Sequence, residues 1–85
     1  MSTQTQQLDR IFSEAFEASI QANNPADRLK AQAVMDIITL AKTAFAGSGM
    51  ASVALAAQVL ATEDPELRPH IGDALRWISL GFAGF

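Results

Sequence analysis

The chain has 85 residues, a net charge of −3 and no cysteine, with hydrophobic residues at 49% and charged residues at 18%. That length suits one domain, 1–85, with a single small core, because a chain of this size buries only about 60–65% of its unfolded surface. The missing cysteines exclude disulfides and thiolate metal sites, and the six basic residues (Arg10, Arg28, Lys30, Lys42, Arg68, Arg76) are too scattered among nine acids to form a phosphate-binding cluster.

Residues 1–4 are polar and lack the basic and apolar segments of a signal peptide, so a cytoplasmic location is expected. From Leu8 the apolar positions run Leu8, Ile11, Phe12, Ala15, Phe16, Ser19, Ile20, while Asp9, Arg10, Glu14, Glu17 and Gln21 take the other side. This period of 3.6 predicts a first helix over about 4–22, with Thr3 and Gln6 spaced for a capping box. Asn23-Asn24-Pro25 breaks it.

The same break opens a second helix. Asn24 suits the N-cap, Pro25 the first helical position, and Asp27 the first turn near the positive end of the dipole. The helix is predicted to run to about Ala46 and to end at Gly47. Its polar residues (Arg28, Gln32, Asp36, Thr39, Thr43) keep to one narrow line, and Leu29, Ala33, Val34, Ile37, Ile38, Leu40, Ala41, Ala44 and Phe45 fill most of the rest. So wide an apolar face predicts a central helix packed on several neighbours, with Leu40 in the core.

Gly47-Ser48-Gly49 reads as a tight link whose glycines permit the positive φ of a helix C-cap. A third helix follows over about 50–62 with no charge at all. Glu63-Asp64-Pro65 opens the last element, with Asp64 as N-cap. Pro69 cannot donate to a helical ladder, so a short turn at 65–68 precedes a fourth helix over about 69–82. Its stripe is Leu67, Ile71, Ala74, Leu75, Ile78, Phe82, Phe85, with Leu75 in the core and Trp77 and Leu80 off the line. The expected fold is an all-α four-helix bundle, three long helices plus a Pro-initiated C-terminal helix.

Several chemistries can be weighed against blander readings. The twenty residues from Thr43 to Thr62 carry no charge, but glycines interrupt them and alanine dominates them, so a membrane span is not expected. Glu66, His70 and Asp73 would share a face of a continuous helix, yet exposed polar residues at that spacing are usually a solvated face, and Pro69 disturbs it. Ser48 lacks the G-x-S-x-G context of a nucleophile elbow. The Asp-Ser-Leu tripeptide of acyl carrier proteins is absent too. A recognition helix at 50–62 would offer bases Ser52, Gln58 and Thr62 and phosphates nothing, so direct nucleic-acid binding is not expected. No catalytic set, cofactor site or metal site is assigned.

What remains is apolar excess. Charge at 18% lies below the roughly 25% of an average domain, leaving too few polar residues to cover a small bundle. Trp77 and Leu80, continued by Phe82 and Phe85, supply aromatic and aliphatic anchors of the kind that dominate protein interfaces. The expected function is a protein-interaction module (inhibitor, regulator or adaptor) whose partner is another protein or a second copy, with Trp77, Leu80, Phe82 and Phe85 as candidate partner-binding residues. Two alternatives are an antagonist of a host defence or regulatory complex, encoded by a phage or mobile element, and a small-molecule-binding bundle with its pocket near Met35, Phe45 and Met50.

Overall fold

The computed structural model describes residues 3–47 and 49–83. Four helices follow in order: α1 (Thr3–Gln21), α2 (Pro25–Thr43), α3 (Met50–Glu63) and α4 (Ile71–Ala83), with a 3-10 turn at Arg68–His70 before the last. No strand occurs among the described residues, and the all-α four-helix arrangement expected from the sequence is the one adopted.

On α1, Leu8, Ile11 and Ala15 are fully buried. The side chain of Thr3, the expected cap, lies outside the described residues. The predicted apolar stripe is too generous, because Phe16 is 54% and Ile20 68% exposed. Steps of four residues advance 400° around a helix, so Phe12, Phe16 and Ile20 each drift about 40° farther from the core line. Phe12 still packs on the core's edge; the two below it have rotated out of reach.

The start of α2 follows the sequence closely. Asn24 is extended (φ −145°, ψ 159°), its side-chain oxygen accepts the Asp27 N–H at 2.9 Å, and Pro25 occupies the first turn. The end differs: α2 stops at Thr43 rather than near Ala46. The last helical rung is Ala44 N–H to the Leu40 carbonyl, and the Gly47 N–H then turns back to the Ala41 carbonyl at 3.1 Å. The left-handed residue of this exit is Ala46, at φ 49°, and no described glycine has positive φ. Gly47 is needed for space instead, since a Cβ there would lie 2.0 Å from Ser52 Oγ. Ser48 lies outside the described residues.

α3 ends on Asp64, whose N–H bonds to the Leu60 carbonyl at 2.8 Å. The Asp64 carboxylate then accepts the Glu66 and Leu67 N–H groups at 3.1 and 3.2 Å, shaping the turn expected there. Pro69 has no N–H to complete four-residue rungs, so the chain tightens to three-residue ones (His70 N–H to Leu67 carbonyl, 2.8 Å), and α4 begins at Ile71 rather than 69. Arg68 reaches back from this corner to the carbonyls of Ala61 (2.6 Å) and Thr62 (3.5 Å), placing a cation at the negative end of α3.

α2 is central and packs against α1, α3 and α4. It contributes Ala31, Ala33, Val34, Met35, Ile37, Ile38 and Ala41 to a core completed by Leu8, Ile11, Val53, Ala56, Leu67, Ala74 and Ile78, among others. No described polar or charged residue is buried. Leu40 and Leu75, expected inside, are only half-buried and pack against the core's edge. Ion pairs at the surface bind α2 to two of these neighbours, Lys42 to Asp9 on α1 and Lys30 to Asp73 on α4 at 3.9 Å. The molecule measures 36 × 27 × 18 Å, two helix layers deep.

Candidate functional site

α4 buries Ile71, Ala74 and Ile78 along one line. Positions one residue off that line, Leu75 and Trp77 among them, fall at its margins, and those two residues off it face outward, at 100° per residue. Trp77 stands at the boundary: half-buried, it packs its ring against the core cluster.

Around Trp77 lie two adjoining grooves. One, of about 440 Å³, is lined by Trp77 and Leu80 with Glu14, Lys30, Asp73 and Arg76. The other, of about 330 Å³, is lined by Trp77 and Lys30 with Ala18, Gln21, Asn23 and Asp27. Because Trp77 and Lys30 wall both, the two form one trough along the junction of α4, α1 and α2. Its apolar floor carries charges of both signs. Leu80 is 61% exposed at its end.

Of the four residues singled out in the sequence, Trp77 and Leu80 thus share one surface. Phe82 is half-buried against the core on the Ile71–Leu75–Ile78 side of α4, roughly 160° around the helix from Leu80. Phe85 lies outside the described residues. The trough is held by a polar clamp: Arg10 donates to the Gly81 carbonyl at 2.9 Å and pairs with Glu14 at 3.3 Å, tying the middle of α1 to the end of α4.

The other candidates are dispersed. Glu66 sits in the turn before the 3-10 segment and Asp73 pairs with Lys30. Among the described residues no set of three His, Asp or Glu side chains gathers closely enough to hold a metal. Met35 belongs to the core, Phe45 to its edge, and Met50 is 39% exposed. A groove of about 390 Å³ opens instead between α1 and α2, beside Phe12, Ile38 and Thr39. No described helix is long and apolar enough to cross a membrane, and the uncharged run from Thr43 to Thr62 is broken between α2 and α3.

The exposed pair Phe16 and Ile20 on α1 escaped the sequence reading. So did Leu55, 49% exposed on α3. The four-residue spacing of Phe12, Phe16 and Ile20 was the available signal, since a core stripe alternates steps of three and four. No family model matches this chain, and neither a curated protein nor a solved structure matches it.

Proposed function

We propose that this chain is a non-catalytic protein-interaction module of the inhibitor, regulator or adaptor kind, and that its binding surface is the trough around Trp77 and Leu80. The observation that carries the reading is the setting of Trp77: a large, half-buried ring packed against the core, with a 61% exposed leucine beside it in the same groove. A rigid aromatic anchor flanked by aliphatic surface and rimmed by charge is the arrangement from which interface hot spots are built. Holding the ring against the core also spares a partner the entropy cost of ordering it.

Leu80→Asp tests this. The side chain is mostly exposed, so the variant should keep the helical circular dichroism and melting temperature of the parent. Affinity capture with the parent should retain a stoichiometric polypeptide, its own kind or another, that Leu80→Asp and Trp77→Ala lose. Identical retention by the parent and both variants would remove the trough as the binding surface.

A further inference from the structure

The outward face of α4, which shares Asp73, Arg76 and Leu80 with the trough, has a pattern that says what fits it. Among the exposed residues from Pro69 to Leu80 are Pro69, Gly72, Asp73, Arg76 and Leu80. Pro69, Asp73, Arg76 and Leu80 follow at steps of four, three and four, the spacing of a helix–helix seam. On this seam one acid precedes one base. The Asp73 side chain is 63% exposed and holds Lys30 only at 3.9 Å. Arg76 has no hydrogen-bond or ion-pair partner among the described residues. At Gly72, an added Cβ would meet nothing within 4 Å, so the helix surface is open there.

We propose that this seam is a two-fold interface on which a second copy of the chain lays its own α4 antiparallel. The proposal rests on the interaction reading above and names the partner. With the axis passing between Asp73 and Arg76, Asp73 meets Arg76 of the second copy, and the same contact recurs on the other side. Leu80 meets Pro69 of the second copy, and the Trp77 of each copy borders the same edge of the seam. Every element of the seam then has a complement supplied by its own image, as an isologous contact requires. The seam itself is charge-neutral, so a chain of net charge −3 can approach itself here without like charges facing each other. The two charge pairs set the antiparallel register, while Trp77, Leu80 and Pro69 supply apolar area. One short helix per copy places the interface in the small, weak class.

The test is a charge swap. Asp73→Arg and Arg76→Asp each put two like-charge pairs into a homodimer, but a heterodimer of the two variants has both pairs complementary. By sedimentation velocity at ~100 μM, the parent should show a monomer–dimer equilibrium. Each variant alone should associate roughly tenfold more weakly, and an equimolar mixture should recover the dimer. Circular dichroism verifies that all remain folded. A parent that stays monomeric overturns the proposal, as does a mixture no more associated than its components. A parent dimer that neither substitution weakens also overturns it and moves the contact elsewhere, the Phe16–Ile20 edge of α1 first. A monomeric parent that still captures a foreign protein through Leu80 overturns the second copy and leaves the interaction module standing.

Discussion

A methyl group added at Gly81 would lie 2.6 Å from Ile11 Cδ1 and 2.7 Å from its Cγ1, and Ile11 is fully buried and has nowhere to go. The same group at Gly72 would meet nothing within 4 Å. Both glycines lie in α4, where alanine is intrinsically better by about 1 kcal/mol, so the surroundings decide the sign at each. Gly72→Ala should stabilise by about 0.5–1 kcal/mol. Gly81→Ala gains the same propensity but forces α1 and α4 apart, and overpacking of about 1–3 kcal/mol outweighs it; it should also lengthen the Arg10 contact to the Gly81 carbonyl. Urea denaturation of the two variants at low micromolar concentration gives both numbers. Equal signs would mean that α1 and α4 do not approach as closely as the structure has them. The sequence alone separates neither glycine from the other. Their difference depends on which helix lies opposite, as does the difference between Gly47, needed for clearance from Ser52, and Ala46, which takes the left-handed turn.

At the scale of the element, the start of α2 was legible in the sequence, and its exit at Thr43 rather than near Ala46 was not. A start depends on side chains local in sequence: Asn24 accepts the N–H of Asp27 three residues on, and Pro25 presets the first turn. Asn24→Ala should therefore cost about 1 kcal/mol by thermal or urea unfolding, with no change in the helical spectrum at low temperature. A loss under about 0.2 kcal/mol would mean that the Asn24 bond contributes nothing beyond what water supplies. An exit depends on what the departing chain must reach. α2 unwinds before Phe45 because the Gly47 N–H closes onto Ala41, and α3 is sealed by Arg68, six and seven residues beyond the carbonyls it caps. Neither partner is visible in a local pattern. The proposed binding surface divides the same way. Trp77 and Leu80 stood out because they leave the stripe of α4, whereas Phe16 and Ile20 sit on a stripe that the neighbouring helices fail to cover.

For the whole molecule, the composition of the core limits how much any interface can ask of it. Seven of the seventeen buried hydrophobic residues described are alanines (Ala15, Ala31, Ala33, Ala41, Ala56, Ala57, Ala74), so helices approach closely but each contact removes little apolar area from water. Most of the stabilisation falls to a few aliphatics buried at 0–1%: Leu8, Ile11, Val34, Ile37, Ile38, Val53 and Ile78. A domain of this length has a total stability of about 4–13 kcal/mol. Ile38→Ala leaves a cavity under the α1–α2 contact and should cost about 2–5 kcal/mol, enough to bring a chain at the lower end of that range near unfolding. Leu40 lies two residues along the same helix but only half-buried, and part of the space left by truncating it is filled by water. Leu40→Ala should cost about half as much or less, roughly 1–2 kcal/mol. Denaturant midpoints of the two variants, with unchanged slope, check the difference. If Leu40→Ala were the costlier, α2 would have to be rotated about its axis so that Leu40 rather than Ile38 faced the core, and the α2 wall of the trough, Asp27 and Lys30, would turn with it.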